Sequence, residues 1–273
     1  MRNLEGKVAV VTGAGHGIGR ETALALADKG CRLAICDVNQ EALDALRGEL
    51  EAGGTTVTAH RVDVSDKAQM EAFAPEVVDA HGEVHILVNN AGVTVYASFE
   101  EHSIEDLEWI LGVNLWGVIY GCKFFLPHLK AAGEGHIVNL SSVFGIIAPP
   151  LQTSYVATKF AVRGFSESLR AELADENIGV TSVHPGAIKT NIVRNARLVT
   201  DTHKELRDST QRLFDRLGTT PDVVGARIVK AIEYNSPRVL ITKEARMADA
   251  LKRLMPATTD GIVARVFKRI STE

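Results

Sequence analysis

The sequence predicts an α/β fold: a single domain, residues 1–273, built on a doubly wound parallel sheet of seven strands with helices on both faces. Three observations carry this. Short runs rich in β-branched residues alternate with longer amphipathic segments. A glycine-rich turn joins the first run to the first helix. Neither an internal repeat nor a low-complexity linker divides the chain.

The strand-like runs are KVAVVT (7–12), RLAIC (32–36), TVTAHR (56–61), ILVNN (86–90), HIVNLS (136–141), VTSVH (180–184) and RVLIT (238–242). Between them, GRETALALADKG (19–30) ends on a glycine stop. NQEALDALRGELEAGG (39–54) has an Asn start and a Gly-Gly stop. Segments 103–131 and 154–176 also show helical spacing. Strand-helix alternation implies parallel pairing with right-handed crossovers. The polar stretch 190–218 breaks the rhythm and reads either as a solvated helix pair or as a lid over a substrate pocket.

Composition narrows the function. Hydrophobic residues make up 45% of the chain, enough for a sizeable core, and a net charge of −4 gives no reason to expect a nucleic-acid partner. Cys31, Cys36 and Cys122 lack metal-ligand spacing, so no metal is expected, and they read as buried free thiols. A reducing, cytoplasmic setting follows. No stretch approaches the ~20 apolar residues of a membrane span, and no signal peptide is read at the N-terminus.

TGAGHGIGR (12–20) places Gly13, Gly15, Gly17 and Gly19 between the first strand and first helix. There, backbone N–H groups can approach a pyrophosphate resting on the helix N-terminus, as in Rossmann-type domains. Asp37 closes the second strand, 18 residues after Gly19. A carboxylate there accepts ribose hydroxyls and repels a 2′-phosphate, so NAD is favoured over NADP. Asp63 either bonds an adenine amino group or caps the next helix. In TSYVATKFA (153–161), Tyr155 and Lys159 stand four apart and share one helix face. That is either a half-exposed surface or a phenol whose pKa falls beside a cation, ready to exchange protons near neutrality.

These residues together resemble the short-chain dehydrogenase/reductase family over roughly residues 5–190. The motifs are TGAGHGIG, DV at 63–64, NNAG at 89–92, Asn114 in a long helix, NLSS at 139–142, YVATK at 155–159 and PGAIKT at 185–190. The resemblance implies a catalytic set of Asn114, Ser142, Tyr155 and Lys159. Tyr155 would carry the proton. Lys159 would hold the nicotinamide ribose and lower the phenol's pKa. Ser142, rather than Ser141, would stabilise charge on the substrate oxygen. Asn114 would bind a water linked to Lys159. The cofactor surface would comprise Gly13, Gly15, His16, Gly17, Ile18, Gly19, Asp37, Val38, Asp63, Val64, Asn90, Ala91, Gly92, Tyr155, Lys159, Pro185, Gly186, Ile188 and Thr190.

The implied activity is interconversion of a secondary alcohol and a ketone with NAD. Expected pocket residues are Val93, Val95, Phe144, Ile146, Ile147, Leu151, Ile192, Val193 and Phe214, mostly apolar, which points to a lipophilic substrate. An epimerase or dehydratase of the same fold, and a catalytically silent dinucleotide sensor or scaffold, are the alternatives. The presence of both Tyr155 and Lys159 argues against the latter. The C-terminus departs from the family, because the Gly-rich ending that supports a tetramer contact is absent. Instead Ile262, Val263, Val266, Phe267 and Ile270 recur at helical spacing in a 244–273 extension. That extension either packs on the domain or a partner subunit, or touches lipid or gates an apolar pocket. A homo-dimer or homo-tetramer is expected, the helices around Asn114 and Tyr155 forming the dimer face.

Overall fold

The computed structural model describes residues 1–200 and 203–270, with the side chains of 268–270 excepted. In chain order its elements are β1 (Val8–Thr12), α1 (Gly17–Ala27), β2 (Arg32–Asp37), α2 (Gln40–Ala52), β3 (Val57–Arg61), α3 (Lys67–His81), β4 (Ile86–Asn89) and β5 (Val95–Tyr96). There follow α4 (Ile104–Leu111), a π turn (Gly112–Trp116), α5 (Gly117–Ala131), β6 (Gly135–Leu140), a 3-10 turn (Val143–Gly145), α6 (Thr153–Glu172) and β7 (Ile178–His184). The chain continues through β8 (Arg197–Leu198), α7 (Lys204–Leu217), α8 (Pro221–Glu233), β9 (Arg238–Leu240), α9 (Lys243–Leu254) and α10 (Thr259–Ile270).

Seven parallel strands form one sheet in the order β3-β2-β1-β4-β6-β7-β9. The direction of winding reverses between β1 and β4, which opens a crevice beyond their carboxyl ends. Alternate side chains of β1 divide between two cores. Ala9 and Val11 pack with Leu26, Leu43, Leu46 and Ile228 from α1, α2 and α8. Val8 and Val10 face the core of Phe73, Phe125, Val162 and Leu169 from α3, α5 and α6. β1 is therefore apolar on both sides, as a covered strand of a parallel sheet requires, whereas the edge strand β3 is only partly buried.

Close approaches fix the layers. A Cβ on Gly225 of α8 would lie 2.6 Å from the Glu21 carbonyl of α1, so only glycine permits that crossing. Inside the sheet, Asn89 donates to Asn139 (2.8 Å), which donates to Ser166 (3.0 Å), tying β4, β6 and α6 together.

The expected helix over 103–131 is interrupted by the π turn, which shifts the phase of α5 relative to α4. The run Ile104–Ala131 is also apolar enough, by length and composition, for a membrane span, contrary to the expectation. Here it belongs to the domain: Val118, Cys122, Phe125 and Leu129 are core residues. The insertion at 190–218 contains a two-residue strand and one helix, α7, not a pair of helices; its residues 201–202 lie outside the described ones. The three cysteines are buried free thiols.

Candidate active site

The glycine turn follows β1 and opens α1. Gly13 and Gly17 have φ of +62° and +56°, a conformation that disfavours side chains. His16, the N-cap, makes no side-chain capping bond, and the first turn of α1 carries no acidic residue. That helix end keeps its N–H groups and positive dipole for an anion. A Cβ on Gly19 would strike the Gly13 carbonyl at 2.2 Å, so this glycine lets the helix close on the loop. Gly13, His16, Gly17 and Ile18 line a cavity of about 800 Å³, whereas Gly15 and Gly19 lie behind it and shape the loop.

Asp37 reaches back to this turn. Its Oδ2 accepts from Gly15 N (2.9 Å) and its Oδ1 from Asn39 N (3.0 Å). Asp37 and Val38 line the same cavity, as do Asp63 and Val64 after β3. Asp63 accepts from the Ser65 N–H (2.9 Å) and hydroxyl (2.6 Å). It does not cap α3: Asp66 does, accepting from Ala68 N at 2.8 Å. Asn90 donates to the carbonyls of Thr12 (2.9 Å) and Gly13 (3.0 Å), so its side chain braces the glycine loop. Ala91 N donates to Thr12 Oγ1 at 3.1 Å, and Gly92 lines the cavity. The glycine cradle, the uncapped helix end and the carboxylate of Asp37 together suit a dinucleotide.

At the other end stand Ser142, Tyr155 and Lys159, all lining the cavity and all buried. The Ser142 hydroxyl shares a hydrogen bond with the Tyr155 phenol, which favours the phenolate. Burial outweighs it and pushes Tyr155 up to about 12, the reverse of the lowering that the Tyr-Lys spacing implies. Lys159 Nζ lies 5.5 Å from the Tyr155 ring centroid and donates to the Leu140 carbonyl (2.9 Å). Burial pulls Lys159 down to about 8. Neighbouring Ser141 also lines the cavity, but its hydroxyl is used in donating to the Lys159 carbonyl at 2.8 Å.

Asn114, in the π turn, is fully buried and does not line the cavity. Its Oδ1 accepts from Val93 N (2.8 Å) and its Nδ2 donates to Val93 O (2.9 Å) and Thr158 Oγ1 (3.2 Å). The side chain thus braces the β4–β5 turn against α6. Pro185, Gly186, Ile188 and Thr190 line the cavity after β7. A Cβ on Gly186 would lie 2.1 Å from Thr242 Oγ1, and Pro185 O accepts from Val143 N at 2.8 Å.

Two contributors escaped the sequence reading. His184 Nδ1 lies 2.9 Å from the Ser142 carbonyl and its Nε2 3.0 Å from Ser182 Oγ. Burial lowers this imidazole to about 4, so it is neutral and donates from Nδ1 to the carbonyl. Gln152 is buried, accepts from Thr94 Oγ1 (2.8 Å) and donates to Val95 O (3.0 Å), holding the wall beside Tyr155. Nothing in local spacing marks either residue.

The apolar section is lined by Val93, Trp109, Phe144, Ile147, Ile192, Val193 and Phe214, among others. Val95, Ile146 and Leu151 do not line it; Val95 and Ile146 are core residues. The insertion covers this section. Thr219 N donates to Ala187 O (3.0 Å) and Lys189 N to Thr219 O (2.9 Å), closing its base. β8 pairs with β5, Arg197 binds Asp106 at 2.7 Å and stacks 3.8 Å over Trp109, and His203 pairs with Glu101 at 2.7 Å.

Known proteins resemble this chain in sequence and in fold. The family profile described as short chain dehydrogenase matches residues 7–200. A Mycobacterium tuberculosis protein named as a candidate oxidoreductase, SadH, is 42% identical over 97% of this chain and 96% of its own. The cyclohexanol dehydrogenase of an Acinetobacter strain is 39% identical over 68% of this chain and 75% of its own. A Burkholderia phymatum short chain dehydrogenase/reductase, solved in complex with NAD, superposes with a TM-score of 0.88 at 32% identity, over 93% of this chain and 95% of that one.

Proposed function

The chain belongs to the short chain dehydrogenase family, and on that premise we propose that it is an NAD-dependent oxidoreductase interconverting a lipophilic secondary alcohol and its ketone. One observation carries this reading: a single cavity has a dinucleotide cradle with Asp37 at one end and Ser142, Tyr155 and Lys159 at the other, against apolar walls.

When bound, the nicotinamide gives or takes the hydride and, oxidised, adds a positive charge. Every other task falls to the chain. Gly13, His16, Gly17 and Ile18 receive the pyrophosphate, and Asp37 receives the adenosine ribose. Tyr155, neutral in its buried setting, is ready to donate its proton to a carbonyl oxygen. Ser142 hydrogen-bonds the same oxygen and stabilises the charge that builds there. In the oxidative direction Tyr155 takes the hydroxyl proton. Its high pKa must then come down, and the ammonium of Lys159 is the protein group placed to do it. The three buried free thiols suit a reducing, cytoplasmic setting.

Measuring NADH and NADPH formation from a panel of lipophilic secondary alcohols tests the proposal. Turnover with NAD is expected. Asp37→Ala should raise KM for NAD about tenfold or more and erode the preference over NADP, because it removes a charged acceptor and the anchor of the Gly15 N–H. Faster turnover with NADP in the unaltered protein would overturn the assignment of Asp37.

A further inference from the structure

The cavity has a wall that the family-matched region does not supply. The match ends at residue 200, yet Glu244 and Ala248 of α9 and Phe267 of α10 line the cavity. Phe267 meets the Phe144 ring edge-on, with centroids 5.9 Å apart, and Phe144 meets Tyr155 in the same manner at 6.2 Å. One aromatic ring therefore separates the C-terminal helix from the proton carrier.

The extension is held in place at several points. Thr242 caps α9 by accepting from Ala245 N at 3.2 Å, and its hydroxyl sits where a Cβ on Gly186 would be. α9 packs on the 3-10 turn that follows Ser142. Lys252 binds Asp260 at 2.7 Å and Thr259 Oγ1 donates to Met255 O at 2.6 Å, which folds α10 back on α9. Val263 is buried beside this turn of chain, one helical turn before Phe267. The extension brings one charged residue to the edge of the cavity, Glu244, which is exposed and has no ion-pair partner among the described residues.

We propose that α10, through Phe267, is the specificity wall of the substrate pocket: it selects bulky, uncharged, apolar alcohols and ketones over small ones, while Glu244 repels acidic ones. This rests on the oxidoreductase reading for its chemistry. The aromatic pair Phe144–Phe267 offers apolar contact beyond the reacting carbon, which a small substrate does not reach. A carboxylate on the substrate near α9 would be repelled by Glu244, the one charged residue that the extension brings to the cavity.

The test compares cyclohexanone, trans-2-decalone and 4-oxocyclohexanecarboxylate in the full-length protein and in Phe267→Ala, Phe267→Leu and Glu244→Gln. KM and kcat are measured with NADH. Decalone affinity is followed separately through the fluorescence of Trp109, which lines the cavity. Phe267→Ala should weaken decalone binding and raise its KM about tenfold, leaving cyclohexanone and NADH affinity unchanged; Leu should restore much of the loss. Glu244→Gln should improve the keto acid alone. Equal effects on both ketones, no effect on either, or a fall in NADH affinity would overturn the wall. If no ketone is reduced by the unaltered protein, the oxidoreductase reading fails. Decalone binding then still decides the wall, and failure of decalone to bind would refute it.

Discussion

Ser142 is held by hydrogen bonds on two different atoms, its hydroxyl, which also accepts from Phe144 N at 3.1 Å, and its carbonyl, which also accepts from Gly145 N at 2.9 Å. Its hydroxyl meets Tyr155, and its carbonyl accepts from neutral His184 at 2.9 Å. The second bond fixes the backbone from which the first is made, so His184 is a positioning residue. His184→Ala removes one of the two donors on the Ser142 carbonyl, leaving Gly145 N at 2.9 Å, at a cost of about 1 kcal/mol. It should lower kcat roughly tenfold with NADH affinity intact, and His184→Asn should recover part of it by supplying a donor at a similar position. Equal loss of NADH affinity would show a merely structural role. The pairing of Tyr155 with Lys159 on one helix face was legible from their spacing, whereas their roles and the choice of Ser142 came only from the resemblance to the family. His184 was not legible, because its role exists only where β7 passes the turn after β6. Nor was the direction of the Tyr155 shift. Spacing shows a neighbouring cation, but burial, which dominates here, depends on the whole fold.

Among elements, β6 and β7 each carry a histidine that is buried and uncharged. His136 bonds Thr181 at 2.7 Å, and burial lowers it to about 3 and His184 to about 4, from an ordinary 6.5. Between those values and 6.5 the unfolded chain binds protons that the folded chain refuses. Stability therefore rises with pH across that window and is lost as pH falls through it. Thermal melts should be flat above about pH 7 and drop steadily below about 6.5, less steeply in His184→Asn. A melting temperature constant from pH 7 down to 5 would contradict two buried neutral imidazoles. The seven strands of the main sheet were read from sequence to within about two residues, since apolar β-branched runs leave little ambiguity, whereas the two-residue strands β5 and β8 were not read. The insertion was not: its polar sequence fits a helix pair as well as α7 alone. What decides is the closing pair of bonds between Ala187, Lys189 and Thr219, which spacing does not display.

At the scale of the molecule, the end of the π turn and the start of α5 carry an aromatic row. Trp116 stacks on Tyr120 and Tyr120 on Phe124, with centroids 5.5 and 6.1 Å apart, and Trp116 and Phe160 stay 48% and 38% exposed. Such a surface is costly to leave in water and suits a second copy of the chain. Sedimentation should show a dimer, with Trp116→Glu and Phe160→Glu together giving a folded monomer; an unaltered protein that sediments as a monomer at micromolar concentration would contradict this face. The doubly wound topology was legible from strand-helix order alone, whereas the contact of α10 with the cavity was not, because the tail's periodicity says that it packs but not on what. Tyr155 is proposed to serve a hydride transfer between nicotinamide and a secondary carbon. The most direct test is label transfer: cyclohexanol deuterated at the carbinol carbon is incubated with NAD and the full-length protein, and the nicotinamide product is analysed for deuterium. Deuterium should appear in the reduced cofactor with the unaltered protein and fall about a hundredfold or more in rate with Tyr155→Phe, while NADH binding persists. Labelled cofactor formed equally fast by Tyr155→Phe would contradict the role given to Tyr155. Binding of NAD with no transfer from this or bulkier deuterated alcohols would contradict the activity itself.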